Sequence, residues 1–191
     1  MTRRRDCSTK KKNTERGLAS PLLINVAELL RRAGSVREVG RRIDAEVFSF
    51  DDPRIAADAQ VEVGLTLEAL TDGIVVHGRL GADWVAECRR CLRQLSGRSE
   101  IEVQELYQAV VSDPDAYPIV GEQLDLLEMV RENLLLAVPS APLCKSDCPG
   151  LCPQCGADLQ TTRCGCSNKA GDDRWAVLDQ LKIDQSRPTA E

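Results

Sequence analysis

From Val61 to Leu67, the apolar residues Val61, Val63, Leu65 and Leu67 alternate with Glu62, Gly64 and Thr66. Alternation with period two predicts a strand with one face buried and the other in water. Asp72-Gly73 follows as a hairpin turn signal, and Ile74 to Cys88 returns as the next strand, interrupted by Gly78 and Gly81. Cys88-Arg89-Arg90-Cys91 occupies the following reversal, and Leu92 to Tyr107 runs back with Ile101 and Val103 on one face. The pattern over residues 43–110 is that of an antiparallel β-meander with a cysteine-bearing turn at one end.

The period then changes. Leu127, Val130, Leu134 and Val138 form one helical stripe; Asp125 and Glu128 have capping-box spacing ahead of it, and Pro139 stops it. Upstream, Leu22 to Val26 reads as extended. Asn25 and Glu28 then predict a short capped helix through Leu29 and Leu30, ending at Gly34. Arg31, Arg32, Arg37, Arg41 and Arg42 read as the helix end and the loop after it. Residues 139–171 are rich in Pro, Gly and Cys without an apolar period, and a final helix is expected at Asp173–Lys182, with Trp175, Leu178 and Leu181 on one side. The expected class is α+β: an antiparallel β-meander packed against a helix, with a zinc-stapled C-terminal segment and a short terminal helix. The expected organisation is a basic tail (1–20), a core (21–143), a cysteine-rich segment (144–171) and a C-terminal helix and tail (172–191).

Composition sharpens this. Hydrophobic residues make up 42% of the 191 but aromatics only 3%, so the core must be aliphatic and gains from metal crosslinks. The net charge of −5 hides an asymmetry: residues 1–16 hold seven Lys/Arg against Asp6 and Glu15, leaving the rest at −10. Such a tail reads either as a contact to RNA phosphates or as a solvated extension.

Eight of the nine cysteines form four short pairs: Cys88/Cys91, Cys144/Cys148, Cys152/Cys155 and Cys164/Cys166. No secretory signal or membrane span is seen, so a cytoplasmic chain with reduced thiols is expected, and paired cysteines there read as metal ligands in a zinc-ribbon style. Eight ligands predict two Zn2+ ions, each closed by four thiolates with no open catalytic position. The favoured partition joins Cys152, Cys155, Cys164 and Cys166 in a local knuckle, and Cys88, Cys91, Cys144 and Cys148 in a long-range site. An interleaved set of Cys144, Cys148, Cys152 and Cys155 is the alternative. Arg89, Arg90 and Arg93, with Lys145 and Arg163, would offset the thiolate charge. Cys7, in the tail, reads as a free thiol.

Catalytic signatures are missing: there is no phosphate loop, no Gly-x-Ser-x-Gly elbow and no His-Glu-x-x-His. The one histidine, His77, reads as an ordinary strand residue. An enzyme is not expected.

The ordered motifs Cys88-Arg89-Arg90-Cys91-Leu92, Leu124-Asp125-Leu126-Leu127, Pro139, Pro142-Leu143-Cys144, Cys148-Pro149-Gly150-Leu151-Cys152-Pro153-Gln154-Cys155-Gly156-Ala157-Asp158-Leu159 and Asp173-Arg174-Trp175 resemble the YceD family. This bacterial and plastid group is linked to accumulation of large-subunit ribosomal RNA. The resemblance covers roughly residues 20–183 and leaves out the basic tail. Some members of that family keep the hairpin pair and a counterpart of Cys144/Cys148 but lack the later knuckle, in line with the favoured partition. The resemblance implies a non-enzymatic factor for 23S rRNA accumulation and 50S assembly. Its partner would be ribosomal RNA or a large-subunit precursor, and no membrane or small-molecule substrate is implied. Arg89, Arg90, Arg93, Arg31 and Arg32 are the candidate RNA contacts. A protein adaptor for a basic ribosomal protein and a zinc- or redox-responsive regulator are the rival readings.

Overall fold

The computed structural model describes residues 20–166. The expected basic tail with Cys7 and the expected helix at Asp173–Lys182 lie outside the described residues. In chain order the elements are β1 (Leu23–Asn25), α1 (Ala27–Leu30), β2 (Val36–Asp44), a 3-10 turn (Ala45–Phe48), β3 (Gln60–Ala69), β4 (Ile74–Glu87), β5 (Gln94–Gln108), β6 (Tyr117–Pro118), β7 (Gln123–Asp125) and α2 (Leu127–Ala137).

The main sheet has the order β2-β3-β4-β5-β6. Four strands form an antiparallel meander, while β6 runs parallel to β5, so the sheet is mixed. The alternation along β3 is realised as expected: Val61, Val63, Leu65 and Leu67 are buried, and the residues between them face outward. The meander begins earlier than expected. Arg37, Arg41 and Arg42 lie on β2, not on a helix end and loop, because Val39 and Ile43 on the same strand bury against the core opposite Leu65 and Val61. The arginines belong to an edge strand, where charge discourages further pairing.

Gly78 and Gly81 do not break β4. A Cβ on Gly78 would stand 2.2 Å from the Gly64 carbonyl oxygen, so glycine here permits the close approach of β3 and β4.

Both expected capping boxes are replaced by a simpler device. Asn25 Oδ1 accepts from the Ala27 amide at 3.0 Å, and Asp125 Oδ1 accepts from the Leu127 amide at 3.0 Å. The N-cap residues Val26 and Leu126 offer no side-chain cap; each chain segment arrives from a strand, and the Asx oxygen at the strand's end turns onto the helix's first amide, two residues on. Those two strands, β1 and β7, pair with each other. They deliver α2 to the inner face of the sheet, where Met129, Val130, Leu134 and Val138 are buried. Ser99 Oγ on β5 donates to the Ala137 carbonyl at 3.0 Å and fixes the C-terminal end of α2.

The result is a mixed sheet covered on one face by short helices. Two aromatic stacks, Phe48 on Phe50 and Tyr107 on Tyr117, sit among mostly aliphatic residues. No helix among the described residues is long and apolar enough to cross a membrane.

Candidate metal centres

The hairpin between β4 and β5 is closed by the Cys88 amide donating to the Arg93 carbonyl at 2.8 Å. Inside it, the Leu92 amide donates to the Cys88 carbonyl at 2.9 Å. The second knuckle repeats this turn: the Gly156 amide donates to the Cys152 carbonyl at 2.8 Å. The residue after the second cysteine of each pair is left-handed, with φ of 57° at Leu92 and 71° at Gly156. Glycine holds that conformation freely, whereas Leu92 carries its side chain into it and leaves it exposed.

Past α2, the chain returns to the hairpin. The Arg89 amide donates to the Pro142 carbonyl at 3.0 Å, which sets Cys144 and Cys148 beside Cys88 and Cys91. The Sγ atoms of Cys91 and Cys144 are 3.7 Å apart, and those of Cys88 and Cys148 are 3.9 Å apart. All four sulfurs lie within 4.8 Å of one another, as do those of Cys152, Cys155, Cys164 and Cys166. The structure thus brings together two sets of four and does not interleave them. A tetrahedral ion with thiolate bonds of about 2.3 Å requires sulfur separations of about 3.8 Å, so the donor set, its spacing and its number fit a metal ion.

The surroundings of the two sets differ. Cys88, Cys91 and Cys148 are buried and form a small second core with Leu95, Leu143 and Leu151, apart from the main one. In the other set Cys152 is buried and Cys155 is exposed.

In each set the thiols diverge in acidity. Burial opposes ionisation of Cys88, but the backbone amides of Cys144, Cys91 and Arg90 outweigh it and bring that thiol down to about 6. The amides of Cys155 and Gln154 bring Cys152 down to about 6. Burial and the neighbouring Cys144 thiol push Cys148 up to about 12, and the Cys155 sulfur together with burial does the same for Cys166. Crowded sulfurs resist carrying charge together, and a bound cation removes that resistance.

The two sets are also joined. Leu151 and Asp158 form a β-bridge, the Leu151 amide donates to the Arg90 carbonyl at 3.1 Å, and the Leu159 amide donates to the Gly150 carbonyl at 3.0 Å. Gly150, at φ 80°, lies so close to the hairpin that a Cβ would stand 2.9 Å from the Arg90 carbonyl oxygen. Gln160, in the loop between Cys155 and Cys164, donates from Nε2 to Cys144 Sγ at 3.3 Å and to Cys148 Sγ at 3.2 Å. Spacing arithmetic picks out the paired cysteines and carries no signal for Gln160, Gly150 or Asp158.

The arginines have divided roles. Arg90 Nη1 donates to the Cys148 carbonyl at 2.9 Å, and Arg93 pairs with Asp158 at 3.3 Å. Arg89 is exposed. Arg31 and Arg32, also exposed, lie next to the β3–β4 hairpin, where the Gly34 amide donates to the Ala69 carbonyl. That is the opposite end of the fourteen-residue β4 from Cys88, up to about 40 Å away along an extended strand. The two basic groups do not make one surface. His77 sits within β4 between Thr66 and Gln104, away from both cysteine sets.

Residues 76–182 match the family described as "Large ribosomal RNA subunit accumulation protein YceD". An uncharacterized protein of Mycobacterium tuberculosis is 31% identical over 180 residues, covering 87% of this chain and 84% of its own. An uncharacterized protein of Mycobacterium leprae is 27% identical over 186 residues, covering 93% of this chain and 85% of its own. The chloroplastic "Large ribosomal RNA subunit accumulation protein YCED homolog 1" of Arabidopsis thaliana is 27% identical over 66 residues, covering 35% of this chain and 21% of its own. No solved structure matches.

Proposed function

This chain belongs to the YceD family of large ribosomal RNA subunit accumulation proteins, and on that premise we propose that it supports 23S rRNA accumulation and 50S subunit assembly in the cytoplasm as a zinc-stapled binding factor. Members of the family are accessory factors, not catalysts, and this chain is not an enzyme. In this reading Cys88, Cys91, Cys144 and Cys148 hold one Zn2+, and Cys152, Cys155, Cys164 and Cys166 hold a second. Each ion would supply a formal +2 charge that lets four thiolates share one point. The first set would tie the cysteine-rich segment (144–171) to the core (21–143), with the tail (1–20) and the C-terminal region (172–191) as appendages.

The observation that carries the reading is positional. The segment that matches the family, residues 76–182, contains all eight clustered cysteines and the hairpin turn that presents Arg89. Ribosomal RNA or a large-subunit precursor is the partner this reading assigns to that turn. Sucrose-gradient fractionation tests it. The protein should travel with large-subunit precursors, and its loss should deplete mature large subunits. A protein found only at the top of the gradient, with normal large subunits in its absence, would sink the proposal.

One observation favours a second reading, an adaptor for a basic ribosomal protein. Arg90 and Arg93 are engaged within the chain, and the outward sheet face carries Asp83, Glu100 and Glu102, which pair with Arg98 or Arg79 yet keep exposed side chains that a basic partner could reach. RNase treatment separates the two, because adaptor binding survives it.

A further inference from the structure

Gln160 belongs to the second cysteine knuckle by sequence and to the first by contact. It lies between Cys155 and Cys164, yet its amide nitrogen donates to Cys144 Sγ at 3.3 Å and to Cys148 Sγ at 3.2 Å. The loop that carries it is seated by its own knuckle. The Cys152 amide donates to the Ala157 carbonyl at 2.8 Å, and Asp158 Oδ1 accepts from the Gln160 amide at 2.9 Å. The same Asp158 is held to the hairpin by Arg93.

We propose that Gln160 couples the two sites: closing the second knuckle seats its amide on two sulfurs of the first, and metal retention at the first site depends on that seat. This rests on both sets binding metal. Gln160 is a positioning residue and not a ligand, since it offers N–H groups to sulfur. A ligand thiolate that accepts such a bond has part of its charge neutralised and a lone pair occupied. That slows protonation, oxidation and exchange of the ion it holds, and loss of such outer contacts weakens metal binding about tenfold or more. The reverse coupling follows from linkage: an ion in the first site favours the seated loop and so the closed second knuckle.

The two sites differ in a way that gives the coupling a direction. Cys88, Cys91 and Cys148 are buried, whereas Cys155 is exposed. A competitor for metal therefore meets the second site first, and opening that site withdraws Gln160 from the first. Loss of the labile ion is converted into loosening of the ion that ties residue 144 to the β4–β5 hairpin.

The test uses the full-length protein loaded with zinc and challenged with a colorimetric chelator. Two ions per wild-type chain are required; one or none overturns the metal reading itself and is seen before any variant is made. Wild type should take up its two zinc equivalents cooperatively when titrated against the chelator, whichever ion binds second being held about tenfold more tightly than at the same site alone. Gln160→Leu keeps the size of the side chain and removes its N–H groups. It should still bind two ions but without cooperativity, so its fully loaded form gives up the first ion to the chelator about tenfold more readily than wild type. Cys155→Ser, which cannot close the second knuckle, should hold its remaining ion as weakly as Gln160→Leu holds an ion at the first site. After cobalt substitution, Gln160→Leu should move the sulfur-to-metal charge-transfer band of the first site to longer wavelength, a change that a packing role would not produce. Cooperativity and a band that match wild type would overturn the coupling. So would a loss of cooperativity in Gln160→Ala that Gln160→Leu restores, because volume would then be the cause.

Discussion

Cys91 and Cys144 are 53 residues apart in the chain, and their sulfurs lie 3.7 Å from each other. Between them run the whole of β5, the small β6 and β7 strands, and α2. Their meeting is the outcome of a complete circuit of the fold, so any ion bound there closes a long loop and stabilises the arrangement that made it.

Metal analysis of single variants reads this partition directly. Wild type should carry two ions. Cys88→Ser and Cys144→Ser should each lose the same one, leaving the second knuckle loaded, while Cys155→Ser should lose the other. Loss of different ions by Cys88→Ser and Cys144→Ser, followed with site-resolved cobalt spectra, would refute the grouping.

The hairpin arginines separate by role. Arg89→Ala should weaken RNA association and flatten its salt dependence while leaving thermal stability intact. Arg90→Ala removes the donor to the Cys148 carbonyl. It should lower the melting temperature and loosen metal at the first site, even where RNA is absent. Equal effects of both variants on RNA binding, with none on stability, would contradict this division.

Gly150 has its prediction from backbone geometry. At φ 80° and with the Arg90 carbonyl oxygen 2.9 Å from the Cβ position, Gly150→Ala must strain or displace the link between the two cysteine sets. The expected cost is on the order of 1–3 kcal/mol, measured by urea unfolding of the zinc-loaded protein. Gly156→Ala meets nothing within 4 Å and should cost only its left-handed φ, about 1 kcal/mol.

In the main core, Leu134 on α2 is fully buried against the sheet. Leu134→Ala should destabilise by about 2–5 kcal/mol, seen as a lower urea midpoint. The neighbouring Leu136 is 86% exposed, and Leu136→Ala should change the midpoint little.

Asp52 supplies a pH dependence. Its hydrogen bond to Arg54, whose guanidinium also donates to the Pro139 carbonyl, holds the Asp52 carboxyl below the usual carboxylate range. A carboxyl lowered in the folded state stabilises fully above its unfolded pKa and loses that contribution as pH falls through the folded one. Asp52→Asn should therefore be less stable than wild type at neutral pH, by up to about 1 kcal/mol. The gap should close under acid when urea midpoints of the two are compared at each pH. A gap constant from neutral pH into strong acid would count against the pairing.

Much of this architecture is written in local pattern. Alternation over Val61 to Leu67, the Asp72-Gly73 turn and the Leu127 to Val138 stripe each need only near neighbours to express them, because strand and helix periods are properties of adjacent residues. The same locality marks Cys152/Cys155 as a knuckle. Local pattern fell short where a residue answers to something distant. Arg37, Arg41 and Arg42 read as a loop because their charge hides the strand that Val39 and Ile43 form against β3. Asn25 and Asp125 carry capping-box spacing, but the strand pair leading into both helices turns their oxygens to a nearer amide.

By itself the sequence determined the clustered cysteines, their pairing in twos and the strands and helix around them, since all of these are short-range. Only the tertiary structure decided which pairs share a point, that the exposed Arg90 and Arg93 are tied to the Cys148 carbonyl and to Asp158, and that Gln160 reaches across to sulfurs outside its own knuckle. Those outcomes depend on where α2 and Pro142 set the returning chain down against the hairpin. That position is fixed by packing between residues far apart in sequence, which no local period encodes.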